Sequence, residues 1–284
     1  MVIPLPRKVK RAVKGRLKQL RLSYARWRRA CDAEGLLASL RRLGLREGDV
    51  VLVHSSFDRF EGFTGKPTEV IGALQQAVGP KGAVLMPTIP FTGTAVAYVR
   101  EHPVFDVRRT PSRMGILSEL FRRMPGVLRS VHPTHSVAAW GEPARGLIAD
   151  HHRAATPCGR GTPYHRLIEV GGRVLFLGTG IEPMTLFHAA EETLEPQMPF
   201  SPFTAETFRL LSRTADGETV ETKTRLFDPG VSRRRDITRL TPVLKQRGAW
   251  RETSLGGVDI ILLNAADVMD ALQTLAKEGR YCYE

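Results

Sequence analysis

The sequence predicts a single α/β domain on a mixed sheet, with a basic helical arm in front of it and a small β-rich insertion. Three observations predict it. Strand-length apolar runs such as Val50–Val53 and Ala83–Met86 alternate with amphipathic helix-length stretches and Gly/Pro turns. The strand–loop–helix–turn–strand order between them is that of a βαβ unit with a parallel pair. After about residue 200 the texture changes to two strand-like runs split by Asp216-Gly217, a hairpin signal. With 284 residues, 42% hydrophobic and 25% charged, the chain has an ordinary globular composition, which excludes a long disordered or rod-like protein. No apolar run approaches the ~18–20 residues of a membrane span. Residues 1–32 are therefore read as the arm and 33–284 as the domain, with the insertion at about 200–230.

The arm carries most of the charge. Arg7, Lys8, Lys10, Arg11, Lys14, Arg16, Lys18, Arg21, Arg26, Arg28 and Arg29 lie in the first 29 residues, which contain no Asp or Glu. These eleven cations leave only +2 of the net +13 for the rest of the chain. Nucleic-acid binding by the whole domain is therefore not expected. Val9, Val13, Leu17, Leu20, Tyr24 and Trp27 recur at helical spacing, so the arm reads as an amphipathic helix. Its stripe suits docking on the domain, or on a second subunit in a homodimer. It equally suits peripheral association of residues 7–29 with an anionic membrane, with Tyr24 and Trp27 at headgroup level.

Along the body, Leu36, Leu37, Leu40 and Leu43 give a helix over Ala33–Leu43, ended by Gly44. Val50–Val53 is a strand leading into His54-Ser55-Ser56, Thr68–Val78 a helix, and Ala83–Met86 a strand ended by Pro87. Residues 88–112 read as a long functional loop. Ser112 is the expected N-cap of a helix over Met114–Arg123. Val137–Trp140 and Arg173–Leu177 read as strands, Leu147–His152 as a short helix, and 156–163 as a Gly/Pro loop. A helix is expected around Thr185–Glu195, a hairpin over Thr207–Leu211 and Val220–Leu226, a strand over Val258–Leu263 and a helix over Ala265–Lys277.

Three cysteines (Cys31, Cys158, Cys282), with no CxxC, do not suggest a disulfide framework. No apolar segment follows the basic start as a secretory signal would require. The expected location is cytoplasmic, peripheral at the inner membrane face if the arm binds lipid. There is no GxGxxG, Walker loop or GxSxG elbow. Eight histidines occur without a metal-ligand spacing, so no metal is expected. His188 and Glu191 share one face of a helix at i, i+3, and a carboxylate beside an imidazole raises its pKa and fixes its tautomer. That is the composition of a general base, and equally of an ordinary surface pair.

Taken in order, His54-Ser55-Ser56, Met86-Pro87-Thr88, Phe105-Asp106 with Thr110-Pro-Ser-Arg-Met-Gly115, Arg129-Ser-Val-His-Pro133 with Ser136, and Thr185-x-x-His188-x-x-Glu191 resemble the aminoglycoside 3-N-acetyltransferase family. The resemblance runs from about Leu36 to Glu195. It implies a three-layer α/β/α fold, acetyl-CoA as donor, and direct acetyl transfer to an amine. By that resemblance His188 is the catalytic histidine and Glu191 its carboxylate partner, His54, Ser55, Ser56, Thr110, Ser112, Arg113, Met114 and Gly115 line the coenzyme A channel, and Asp106 lies near the acceptor. Ser56 is a further catalytic candidate, as a donor to the negative charge that develops on the thioester oxygen, and His132 and Glu192 are further acceptor-binding candidates. Two departures stand out: Gly161-Thr162-Pro163-Tyr164 replaces the family's Ser-Pro after glycine, and the arm is longer and more basic. The acceptor is an aminoglycoside, or a nucleotide- or lipid-linked amino sugar, since residues 54–113 carry +2 rather than an acidic balance. A non-catalytic membrane-associated module with the same fold is the third reading.

Overall fold

The computed structural model describes Val9, Val13, Arg16, Ser23, Tyr24 and residues 27–284. Leu17 and Leu20 of the arm's stripe lie outside the described residues. In chain order the body runs α1 (Ala33–Leu43), β1 (Val50–Ser55), α2 (Pro67–Val78), β2 (Ala83–Pro87), α3 (Ala95–Glu101), β3 (Val104–Asp106), α4 (Ile116–Phe121), β4 (Leu128–Arg129) and β5 (Val137–Trp140). It continues with α5 (Ala144–Ile148), α6 (Pro163–Glu169), β6 (Arg173–Leu177), α7 (Leu186–Leu194), β7 (Phe203–Arg213) and β8 (Thr219–Phe227). The last elements are α8 (Pro229–Arg233), α9 (Leu240–Gln246), β9 (Arg251–Leu255), β10 (Val258–Asn264) and α10 (Ala265–Lys277).

Seven strands form one mixed sheet in the order β4-β5-β2-β1-β6-β10-β9. Its centre is parallel: β1 pairs with β2 and with β6 in the same direction, as the crossover through α2 requires. The flanks are antiparallel, β5 on β2 and β10 on β6. Residues alternate between the two faces. Val51 and Val53 join one core with α1, α2 and α4, while Leu52 joins the other with α5, α6, α7, α9 and α10. Both faces are covered, so the fold is a three-layer α/β/α sandwich. β3, β7 and β8 make a separate three-stranded sheet, and α3 packs on it through Ala95 and Val99 against Phe208, Leu210 and Leu226.

Several expectations for the middle of the chain need correction. The stretch 88–112 is not all loop: Thr94 caps α3 by accepting from Ala97 N at 3.3 Å, and β3 pairs with β7. Ser112 is not a helix N-cap. Gly115, at φ +96°, precedes α4, and the Ser112 hydroxyl instead accepts from Met114 N at 3.2 Å and meets Ser118 Oγ at 2.9 Å. The helix read over Leu147–His152 is split, because Asp150 adopts φ +56° between α5 and a 3-10 turn at His151–Arg153. The loop read over 156–163 ends in a helix start, with Thr162 accepting from His165 N and Pro163 in the first turn of α6.

Candidate active site

The parallel strands β1 and β6 end side by side, the place where open α/β sheets bind ligands. His54, next to last in β1, is buried and stacks on Phe176 of β6 at 5.3 Å between ring centres. Its Nε2 accepts from Thr185 N at 3.4 Å, which ties the strand end to the start of α7. One turn into α7, His188 faces a cavity of about 370 Å³ whose lining includes Met114, His135, Thr185, Arg235 and Asp236.

Within that cavity His188 Nδ1 lies 3.3 Å from Glu191 Oε2. An ionised carboxylate only accepts, so Nδ1 carries the proton and Nε2 keeps its lone pair. Nε2 has no hydrogen bond among the described residues. Glu191 is almost fully buried, and two other side chains meet it and each other. Tyr283 donates its hydroxyl to Oε1, Arg235 Nη2 lies 3.8 Å from Oε2, and Arg235 Nε donates to the Tyr283 oxygen at 3.2 Å. The guanidinium sits among the rings of Phe187, Phe227 and Tyr283 at 5.9, 5.5 and 5.5 Å. The chain end is held there by its backbone: Asp236 N donates to Cys282 O at 2.9 Å and Glu284 N to Arg234 O at 2.8 Å.

Burial pushes the Glu191 carboxyl up to about 7, while Arg235 and the Tyr283 hydrogen bond pull it back. Burial, helped by the positive charge of Arg235, holds the His188 imidazole well below its ordinary value. The sequence led us to expect a raised imidazole pKa; desolvation outweighs the neighbouring acid, so His188 rests neutral. A neutral imidazole with a fixed tautomer and an open Nε2 is chemically a proton acceptor.

The other expected site residues divide into two groups. Met114 lines the same cavity, and Gly115 approaches β1, since a Cβ there would stand 3.8 Å from Ser55 O. Arg113 N donates to Ile89 O at 2.8 Å, holding this segment along the end of β2, and its side chain is exposed. Ser55 and Ser56 are half-buried at the end of β1; the Ser56 amide is bonded to Leu177 O at 2.9 Å, which leaves only its hydroxyl free to meet a ligand.

The second group does not line this cavity. His54 and Ser112 are internal ties, as described, and Thr110 Oγ1 accepts from Asp106 N at 2.9 Å. Asp106 Oδ1 accepts from Arg108 N and Arg109 N, so that oxygen closes its own turn. His132 is fully buried, accepts at Nδ1 from His135 N at 3.1 Å and stacks on His151 at 4.5 Å. Glu192 turns away from the cavity: Thr156 donates to Oε2 and Cys158 N to Oε1, and burial raises its pKa to about 8. The sequence reading missed Arg235 and Tyr283. A larger hollow of about 710 Å³ is lined by Arg108, Arg145 and His152, but it contains no acid–base pair of this kind. Among the described residues no His/Cys/Asp/Glu group could hold a metal ion.

Comparison with known proteins supplies the family. A family model described as aminoglycoside 3-N-acetyltransferase matches residues 52–277. Aminoglycoside N(3)-acetyltransferase VII of Streptomyces paromomycinus is 38% identical over 169 residues, 55% of this chain and 58% of that protein. The chain thus spans little more than half the length of the curated relatives it matches. Among solved structures, AAC-IIIb in binary complex with CoASH has a TM-score of 0.73 at 28% identity, covering 89% of this chain and 99% of that one. Sisomicin-bound AAC-VIa has a TM-score of 0.73 at 26% identity, covering 88% and 99%. The matched span takes in most of β1 and all of α7, and on it the chain belongs to the aminoglycoside 3-N-acetyltransferase family.

Proposed function

We propose that the protein transfers acetyl from acetyl-CoA to an amino group of an aminoglycoside or related amino sugar, with His188 as general base. The observation that carries this reading is the His188–Glu191 pair on the cavity wall, with Nε2 of the imidazole open. The pantetheine end of the coenzyme would lie along Ser55, Ser56 and the 113–115 segment, and the acceptor amine would approach His188. The amine nitrogen attacks the thioester carbon as its proton passes to Nε2. The C–N bond forms, the C–S bond breaks, and the thiolate leaves without an acyl-enzyme. Glu191 balances the charge that appears on the imidazole, and so the pair works as one unit.

Relatives named for aminoglycosides favour that acceptor class. A second reading, an amino sugar carried on phosphate, is favoured by the +2 balance of residues 54–113 and by the hollow lined by Arg108 and Arg145. Coenzyme A release with kanamycin-type compounds and with UDP-amino sugars separates the two. His188→Ala should lower turnover by ~10²–10⁴ while leaving acetyl-CoA binding nearly intact. An unchanged rate removes His188 from the chemistry.

A further inference from the structure

The basic arm is attached by a built joint. Cys31 N donates to Gly62 O at 3.0 Å and Thr64 N to Cys31 O at 2.9 Å. The backbone passes so close that a Cβ on Gly62 would come within 2.3 Å of Arg29 O, and one on Gly256 within 2.9 Å of the same oxygen. Gly62 follows the loop that leaves β1, and Gly256 lies in the turn before β10, which runs antiparallel to β6. Both therefore sit at the end of the sheet where β1 and β6 finish and where His188 faces its cavity. The arm leaves the body at the active-site end.

Beyond the joint, the described arm positions are helical and open. Val9, Val13, Tyr24 and Trp27 are 41%, 45%, 61% and 76% exposed, so the domain does not cover these positions of the stripe. Tyr24 and Trp27 lie 6.1 Å apart, and Arg28 sits over the Trp27 ring at 5.9 Å. We infer that the arm is an interfacial anchor that seats the protein on an anionic lipid bilayer, with the active-site end of the sheet toward the surface.

Charge chooses the occupant. Eleven cations and no anion on 29 residues repel a second copy of the same arm, which disfavours pairing stripe to stripe. That density of charge also bars the arm from crossing hydrocarbon. A polyanion without an apolar layer would satisfy the basic residues and leave the aromatic pair in water. An anionic bilayer meets both needs: headgroups take the Lys and Arg side chains, and the boundary below them takes Val9, Val13, Tyr24 and Trp27. A lipid-linked acceptor would then arrive on the face that carries His188.

The test is sedimentation of the full chain with phosphatidylglycerol/phosphatidylcholine vesicles and with pure phosphatidylcholine vesicles, read without any turnover. Partition should be at least tenfold greater onto the anionic vesicles and should be lost in high salt. Trp27→Ser with Tyr24→Ser, and separately Lys10→Glu with Lys14→Glu and Lys18→Glu, should each cut it about tenfold with thermal melting unchanged. Equal or absent partition onto the two vesicle types overturns the inference. So does binding to RNA or heparin that the aromatic substitutions leave untouched, or a dimer in light scattering that Trp27→Ser dissolves.

Discussion

Removing the hydroxyl of Tyr283 asks how Glu191 stays charged in a buried place. Burial and the nearby carboxylate of Glu195 raise its pKa, and only Arg235 and Tyr283 lower it, to about 7. His188 itself rests neutral, so the acid limb of kcat/KM should report Glu191 and fall near pH 7, where an uncharged Glu191 no longer balances an imidazolium. Tyr283→Phe removes one donor to the ionised form, so the limb should move to higher pH, by roughly one unit. Arg235→Met should move it further in the same direction, and Arg235→Lys should restore part of the shift. A pH profile with a constant acceptor measures this. An unmoved limb beside a lowered melting temperature would leave both residues with a merely structural role. His188 and Glu191 were legible in the sequence because their i, i+3 spacing is local. Tyr283 lies 92 positions from Glu191 and Arg235 sits in an arginine-rich run, so neither carries a spacing that marks it.

Arg129 does for the loops what Tyr283 does for the acid. It stands at the end of β4, is buried, and donates from Nε to Thr88 Oγ1 at 3.0 Å and Ser136 Oγ at 3.1 Å. Its other nitrogens reach Thr88 O at 2.8 Å, Val107 O at 3.1 Å and Thr110 O at 2.5 Å. One side chain thus pins the ends of β2, β3 and β5 and the turn that leads into Ser112–Gly115. Burial lowers its pKa to about 9, which still leaves it charged at neutral pH. Lysine has the charge but not the fork, so Arg129→Lys should strand buried carbonyls and cost about 3 kcal/mol. Melting should fall by several degrees and acetyl-CoA affinity should drop with it; an unchanged melt would show the fork to be dispensable. The Arg129-to-Ser136 stretch was visible as a motif, yet its meaning is a network of carbonyls that only the fold assembles. The same limit hid α3 and β3, whose partners in β7 and β8 are distant in sequence, while β4 is only two residues long and carries no pattern of its own. By contrast β1, α2, β2 and β6, with long buried runs, were legible from pattern alone.

At the scale of the molecule, the interior holds an unusual load of uncharged titratable groups. His54 and His151 are lowered to about 3 by burial, and His132, His135 and His188 are lowered well below 6.5 by the same cause. In the unfolded chain these five bind protons below about 6.5, and in the folded chain they cannot, so their contribution is present above that pH and lost as pH falls. Glu191 and Glu192 act the other way. Raised to about 7 and about 8, they hold protons in the folded state that the unfolded chain has released above 4.5. Their contribution is lost as pH rises toward those values. Below 6.5 the five imidazoles outnumber the two carboxyls, so the net effect there is a loss of stability as pH falls. Near pH 7 the two sets cancel, so stability should peak there, fall steeply below 6.5 and decline gently toward 8. Urea midpoints measured from pH 5 to 9 test this. A flat profile across that range would mean that the buried histidines find protons, and with them water, that the packing around them gives no sign of admitting.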